Sequence, residues 1–265
     1  MQLIVINSSA FILINICVAI SNMTGAGDYP VLQRLLLPSG FTAFTHRVWT
    51  LFTYMFLHLG IWHIVSNMLW LYWVGGIFNE YLGSKRLLSV YILGGLCGGL
   101  LFVLLSNTIP VFHAETHLIG ASASVMAIVV ATAIFLPEYS IHLVLIGPVK
   151  LKYLALISFV LTTLIDLSEN TGGKIAHIGG ALFGIVYMLQ YKNGRDLSIG
   201  FYKVIDLITF KQSKMRLVHK KDSVSLSKAG LQKKVDEILD KIARSGYESL
   251  SKEEKEILFK ASDRI

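Results

Sequence analysis

The chain has 265 residues, of which 54% are hydrophobic and 15% are charged, whereas a soluble domain carries about 25% charged residues. Residues 1–191 hold 7 Lys and Arg and 6 Asp and Glu, and residues 192–265 hold 17 and 11. The first composition excludes an ordinary soluble globular protein, and the second excludes a chain that lies wholly in a membrane. We therefore predict an all-α polytopic membrane domain over 1–191 and a small basic tail over 192–265.

Six segments contain the roughly 20 mostly apolar residues of a membrane-spanning helix, or nearly so. They cover residues 3–23, 61–78, 87–105, 120–136, 151–167 and 174–191. The first segment lacks the basic start and the cleavage site of a signal peptide, so we expect a retained anchor. Residues 24–58 are too polar to span and contain Pro30 and Pro38, which predicts a surface-lying loop with short helices. Residues 83–86 form a tight connection.

Lys and Arg residues determine the expected orientation. With the N-terminus inside, the inner connections and the tail hold 21 of them and the outer loops hold 3. This bias predicts cytoplasmic termini, and we expect a multi-pass protein of the bacterial plasma membrane. It also explains the basic tail better than nucleic-acid binding does. The two cysteines, Cys17 and Cys97, give neither a disulfide framework nor a metal-binding spacing.

The tail contains a predicted helical hairpin at about residues 228–262. Apolar residues recur at helical spacing in its first half, namely Leu231, Val235, Ile238, Leu239 and Ile242. Ser251 and Glu254 form a capping box at the start of a second helix. Gly246 separates the two helices.

Polar residues inside a membrane domain are costly and mark functional positions. Ser122 opens the fourth predicted span and His177 lies near the start of the sixth, and both spans run inward from the outside. Small residues near both, including Gly180 and Gly184, would let these two helices approach closely. A serine and an imidazole within hydrogen-bond reach form a nucleophile–base pair. Taken separately, Ser122 could be a helix cap and His177 a histidine bonded to a carbonyl.

A third polar cluster opens the second predicted span. His63 and Asn67 are four residues apart and therefore share one helix face. Their side chains, together with the backbone amide of Ser122, could donate hydrogen bonds to a developing oxyanion. Interhelical hydrogen bonding by Asn67 is the structural alternative.

Together these motifs resemble the rhomboid family of intramembrane serine proteases over roughly residues 45–190. The resemblance depends on His63-x-x-x-Asn67, on Gly120-x-Ser122, on Ala176-His177 and on the glycines near the end of the second span. It implies a rhomboid-like six-helix bundle that cleaves the transmembrane segments of membrane-protein substrates near the extracytoplasmic face, without a metal or cofactor. In that scheme Ser122 and His177 form a catalytic dyad with no acidic third member.

The resemblance also implies an oxyanion hole made by His63, Asn67 and the Ser122 amide. Two departures from the family pattern bear on this site. Ala123 stands where the family often has glycine, which could narrow the space beside the nucleophile. Trp49 is followed by Thr50 rather than Arg, so the anchoring of the first loop could differ.

Four other readings are less well supported by the sequence. The string from Gly25 to Asp28 matches aspartyl intramembrane proteases, but Pro30 would break the helix they require. A zinc protease would need His-Glu-x-x-His, which does not occur, and we expect His113 and His117, four residues apart in a loop, to be exposed to solvent. The predicted spans show no charged pathway of the kind that a transporter would need. A catalytically inactive rhomboid-like protein that binds membrane clients is the main alternative, although such proteins usually lack the serine or the histidine.

Overall fold

The computed structural model describes residues 1–25, 30–110, 116–143, 146–165, 171–208 and 228–262. The chain divides into two compact units, Met1–Lys211 and Gln212–Ile265. The helices of the first unit are α1 Gln2–Met23, α2 Pro30–Gln33, α3 Phe41–Thr45, α4 Thr50–Thr53, α5 Ile61–Leu82, α6 Ser84–Thr108, α7 Ser122–Phe135, α8 Leu151–Phe159, α9 Thr171–Lys192 and α10 Leu197–Ile208. Its strands are β1 Leu37–Pro38, β2 His117–Leu118, β3 Ser140–Leu143 and β4 Gly147–Lys150.

All six predicted membrane segments are helical, and the predicted polytopic helical membrane fold is confirmed. Among the described residues, α1, α5, α6 and α9 are long and apolar enough to cross a membrane, and α7 and α8 are shorter apolar helices. A π-helical turn, Val160–Ile165, continues α8. Asp166, at the predicted end of this segment, lies outside the described residues. The connection between α5 and α6 is the single residue Gly83, with φ of +83°.

Helix α7 lies at the centre of the first unit, in contact with α5, α6 and α9. Most of its side chains are small or β-branched, and ten of its 14 residues are buried. Lipid provides no hydrophobic driving force between helices, so close packing and hydrogen bonds must hold them together. One such hydrogen-bond chain joins α1 to α6, because Asn7 Nδ2 donates to the Tyr91 hydroxyl at 3.0 Å. Tyr91 in turn donates to the backbone oxygen of Met55 at 2.9 Å.

The polar segment before α5 contains short helices, as predicted. Its backbone is anchored by side chains: the Trp49 indole donates to the oxygen of Arg34 at 2.9 Å, and the Arg47 guanidinium donates to the oxygen of Gln33 at 2.7 Å. Strands β1 and β2 pair antiparallel, with Leu37 opposite Leu118. This loop is therefore tied to the segment that leads into α7. Asp28 of the Gly-x-Gly-Asp string lies outside the described residues.

Two elements were not predicted from the sequence. Strands β3 and β4 form a hairpin between α7 and α8, next to which Glu138 pairs with Lys150 and Lys152. Helix α10 packs on α6 and α9, and the guanidinium of Arg86 on α6 lies 2.7 Å from the Asp196 carboxylate just before it. The first compact unit therefore extends about 20 residues past position 191.

The second unit contains α11 Lys228–Ser245 and α12 Lys252–Ser262, which pack against each other. The predicted capping box is confirmed: the Ser251 amide donates to the Glu254 carboxylate at 2.7 Å, and the Glu254 amide donates to the Ser251 hydroxyl at 3.2 Å. Gly246, with φ of +78°, turns the chain between the helices. Lys241 on α11 bonds Glu254 at 2.9 Å, and Ile238 and Leu250 are buried. Helices α11 and α12 thus form a helical hairpin.

Candidate active site

The turn before α7 is held by backbone hydrogen bonds to the preceding loop. Gly120 has φ of +116°, a conformation that favours glycine. Its amide donates to the oxygen of Tyr54 at 3.0 Å, and the next amide, of Ala121, donates to Nε2 of His58 at 3.3 Å. Ser122 is then the first residue of α7 and is partly exposed.

The start of α7 distinguishes its two serines. The first four amides of a helix have no partner within it, and this end carries partial positive charge. The Ser122 amide is the first of these amides. Ser124, two residues on, is fully buried, and its hydroxyl lies 3.9 Å from the sulfur of Met55. Ser124 is therefore a core residue, whereas Ser122 is partly accessible from outside the core.

Helices α7 and α9 are in backbone contact, as the small residues predicted. A Cβ added at Gly180 of α9 would overlap the backbone oxygen of Ala123 on α7. One turn further, a Cβ at Gly184 would lie 2.5 Å from the oxygen of Ala127. No side chain larger than hydrogen fits at either position without separating the two helices.

Helix α6 completes this contact through Gly98. A Cβ at Gly98 would lie 2.7 Å from both Ala123 Cβ on α7 and the backbone oxygen of Ala176 on α9. The methyl group of Ala123 therefore points towards α6, which accommodates it with a glycine. Ser122 precedes Ala123 and His177 follows Ala176, so each lies one residue from a shared contact of three helices.

His177 lies on the first half of α9 and is partly exposed. Its Nδ1 atom is 3.3 Å from the backbone oxygen of Thr162, in the π-helical turn after α8. Helix α9 packs against this turn. The histidine is thus positioned from α8 as well as from its own helix.

The other two predicted site residues lie in the first two turns of α5. Gly120 contacts the imidazole of His63, because a Cβ added there would be 2.5 Å from Cε1 and 2.6 Å from Nε2. Asn67 is buried, and its amide nitrogen donates to the backbone oxygen of His63 at 2.8 Å. The structure therefore brings His63 to the turn before Ser122, while the amide of Asn67 bonds its own helix.

A sequence model of the rhomboid domain matches residues 45–193, more than half of the chain. The chain belongs to the rhomboid family. A second model, of a family of unknown function (DUF6576), matches residues 222–264, a range that contains both helices of the second unit. The rhomboid domain thus covers α5 to α9, including every predicted site residue.

Several curated relatives also carry rhomboid names. RHOMBOID-like protein 12, mitochondrial, of Arabidopsis thaliana is 30% identical over 162 residues, covering 56% of this chain and 48% of that protein. Rhomboid protease GlpG of Enterobacter sp. (strain 638) is 35% identical over 77 residues, covering 29% of this chain and 28% of that protein. RHOMBOID-like protein 1 of Arabidopsis thaliana is 27% identical over 157 residues, covering 56% and 37%. The chain spans less than half the length of each.

The rhomboid site contains one residue to which sequence analysis assigned no role. His58 is fully buried, its Nε2 accepts the Ala121 amide, and its ring centroid lies 4.9 Å from that of His63. Burial, with a smaller contribution from the charge of His63, lowers the pKa of His58 to about 4. The sequence signal for His58 was its position as a histidine in the apolar stretch that leads into the second predicted span. His58 holds the turn before Ser122 only while Nε2 is unprotonated.

Acid should therefore destabilise the rhomboid domain through His58. Its folded-state pKa lies below the usual value near 6.5, so the unfolded chain binds the extra proton first as pH falls. Stability is complete above about pH 6.5 and is lost towards pH 4, by up to about 3 kcal/mol. We expect thermal unfolding in detergent to show this loss for wild type and a smaller one for His58→Gln, whose amide oxygen can accept the same bond without titrating.

The exposed histidine of β3 provides the control for this experiment, since His142→Gln should keep the wild-type pH dependence. Equal pH dependence in wild type and His58→Gln would contradict the assignment.

The described part of the chain shows no group of three or more His, Cys, Asp or Glu side chains placed to hold a metal ion. His113 lies outside the described residues, and His117 is in β2. Around Ser122 the structure places a serine hydroxyl at a helix start and an imidazole on the contacting helix, the two kinds of group from which serine–histidine acyl-transfer sites are built.

Proposed function

We propose that this rhomboid-family chain is an intramembrane serine endopeptidase that cleaves transmembrane segments of membrane-protein substrates. Ser122 is the nucleophile and His177 is the general base and acid. The side chains of His63 and Asn67 and the Ser122 amide stabilise the oxyanion. No metal or cofactor takes part.

In the first step the Ser122 hydroxyl attacks the scissile carbonyl carbon and Nε2 of His177 takes the hydroxyl proton. The carbonyl oxygen becomes an oxyanion bound by the donors at the start of α7 and on α5. The intermediate collapses, the C–N bond breaks and Nε2 protonates the leaving amine. Water then attacks the acyl-enzyme carbonyl carbon and gives a proton to Nε2. The bond between this carbon and the Ser122 oxygen breaks, the carboxylic acid product leaves, and Nε2 returns the proton to the Ser122 oxygen.

The contact among α6, α7 and α9 carries this proposal. It brings the residues beside Ser122 and His177 together through glycines that permit backbone contact. The imidazole of His63 against Gly120 adds a donor next to the same turn. A relative named as a rhomboid protease supports the same activity.

The test is labelling of the detergent-purified protein by a serine-reactive fluorophosphonate, together with cleavage of a transmembrane reporter. Wild type should be labelled and should cleave, and Ser122→Ala should do neither. A folded wild-type protein that does neither would favour the catalytically inactive, client-binding alternative.

The oxyanion hole gives a separate expectation. Asn67→Ala should lower kcat about 10- to 1000-fold, because one lost donor costs on the order of 1.4–4 kcal/mol at the transition state. His63→Ala should behave similarly. Steady-state kinetics on the reporter should show little change in KM, since the donors act on an oxygen that becomes charged only during the reaction.

Asn79→Ala is the matched control, because Asn79 is an exposed asparagine at the opposite end of α5. It should cleave like wild type. An Asn67→Ala protein that cleaves normally but melts at a lower temperature would assign Asn67 to structure alone.

We also propose that both termini face the cytoplasm and that the protein lies in a bacterial plasma membrane. The excess of Lys and Arg in the predicted inner connections and the tail supports this orientation. Substrates would then be cut on the extracytoplasmic side, where α7 and α9 begin.

Deleting the second unit should leave the chemistry intact, because every proposed site residue precedes it. Removal of residues 212–265 keeps α10 and the Arg86–Asp196 ion pair, and the truncated protein should cleave the reporter within a few-fold of full length. A longer deletion, from residue 192, tests whether α10 contributes. Loss of cleavage in the shorter deletion, with the membrane unit still folded, would show that the second unit controls the site.

A further inference from the structure

The π-helical turn at the end of α8 has a backbone carbonyl in contact with the proposed catalytic base. The turn covers Val160–Ile165. A π-helical turn widens the helix by bonding over five residues instead of four, and such turns occur frequently at functional sites. The Thr162 side chain is engaged within α8, because its hydroxyl donates to the oxygen of Ser158 at 2.8 Å. Its backbone oxygen lies 3.3 Å from Nδ1 of His177.

This contact selects one form of the imidazole. A carbonyl oxygen only accepts hydrogen bonds, so Nδ1 must carry a proton to bond it. In a neutral imidazole with a proton on Nδ1, Nε2 has the free lone pair, and the partner of one ring nitrogen decides which tautomer is present. Nε2 is the nitrogen that takes the serine proton in serine–histidine catalysis.

We propose that the Thr162 carbonyl is the positioning group of the base: it holds His177 in the Nδ1–H tautomer and orients Nε2 for Ser122. This inference rests on the proposed function and adds a third, uncharged member to the dyad. A carboxylate performs this task in serine–histidine–aspartate triads. Here a backbone oxygen on a neighbouring helix performs it, so a buried charge in the membrane is unnecessary.

The proton balance follows directly. During attack the Ser122 proton moves to Nε2, and the imidazolium carries a proton on both nitrogens. Its Nδ1–H continues to donate to the Thr162 oxygen, in a hydrogen bond strengthened by the positive charge. The Nε2 proton then passes to the leaving amine, and the Nδ1 proton never leaves the ring.

Because the two partners are on different elements, the base depends on the packing of the π-helical turn against α9. Displacement of the π-helical turn would break the hydrogen bond and free His177 to rotate or change tautomer. No change at Ser122 would be needed to lose activity.

The first measurement is the tautomer itself. Nitrogen-15 NMR of histidine-labelled wild type in detergent should show Nδ1 of His177 protonated and Nε2 unprotonated in the neutral ring, with the signals assigned by their loss in His177→Gln. A neutral His177 with its proton on Nε2 would overturn the proposal. This readout needs no turnover.

The second measurement weakens the carbonyl. Replacing the amide between Thr162 and Thr163 by an ester, with a hydroxy acid at position 163, makes the Thr162 oxygen a poorer acceptor and keeps both side chains. We expect kcat to fall about threefold to tenfold, the effect of one weakened hydrogen bond, with KM unchanged. The NMR signals should shift towards the opposite tautomer.

Two controls separate positioning from helix stability. An ester between Leu156 and Ile157 of α8 also removes one backbone N–H, and Thr162→Val removes only the side-chain hydroxyl. Both should keep the wild-type kcat and tautomer. Equal losses of kcat in the two ester proteins would overturn the proposal.

Failure of the proposed function would be seen separately. A wild type that neither cleaves the reporter nor reacts with fluorophosphonate would overturn the proposed function, whereas the tautomer measured by NMR would still test the hydrogen bond between Thr162 and His177.

Discussion

Ser122→Ala and His177→Ala should each reduce cleavage of a transmembrane reporter to background while the protein stays folded. Removing one member of a nucleophile–base pair costs on the order of 10⁶ in kcat in serine proteases. Because the two groups act in one step, the double variant should be no worse than either single variant. Initial rates in detergent, with circular dichroism to confirm folding, measure both effects.

Ser124→Ala is the matched control for the nucleophile. Ser124 lies in the same segment, but its side chain is fully buried beside Met55, so the variant should retain cleavage. If Ser122→Ala kept residual activity that disappeared only when Ser124 was also replaced, Ser124 would be the nucleophile.

Gly180→Ala should have the second-largest effect. The added methyl would overlap the backbone oxygen of Ala123, which cannot rotate away as a side chain can. The α7–α9 contact must therefore open, and Ser122 and His177 separate with it. Overpacking of this kind destabilises by about 1–3 kcal/mol, and a displacement of about 1 Å can cost 100-fold in rate. Both a lower melting temperature and a loss of reporter cleavage are expected.

The control is Gly76→Ala on α5, where an added Cβ meets no atom within 4 Å. It should melt and cleave like wild type. Wild-type cleavage by Gly180→Ala would show that the site tolerates separation of the two helices, and the glycine contact would lose its proposed role.

The spans and their main contact were predictable because a membrane restricts which residues can form them. Apolar runs of about 20 residues marked the spans, and the glycines of α9 marked its contact with α7. Helix α10 was missed because its apolar residues lie in a tail whose composition is dominated by charge. The β3–β4 hairpin was missed because each strand has only four residues, too few for its alternation of half-buried and exposed positions to be distinguished from the apolar spans on either side.

The candidate site was predictable only in part, for a different reason. Ser122, His177, His63 and Asn67 stand out as polar groups in apolar sequence. His58 has the same signal, but its role depends on accepting the Ala121 amide, a contact across the fold. The Thr162 carbonyl cannot be read from sequence at all, since every residue has a carbonyl and only the π-helical turn directs this one.

The shortness of α7 has a consequence for the lipid around it. Its 14 residues span about 21 Å at 1.5 Å per residue, against a hydrocarbon layer about 30 Å thick. Glu138, Lys150 and Lys152 follow its far end and place that end at a water interface. Ser122 then lies about 9 Å inside the opposite boundary, unless the bilayer thins to meet the helix at a modest cost per ångström. Membrane thickness thereby determines how far water must travel to reach the serine.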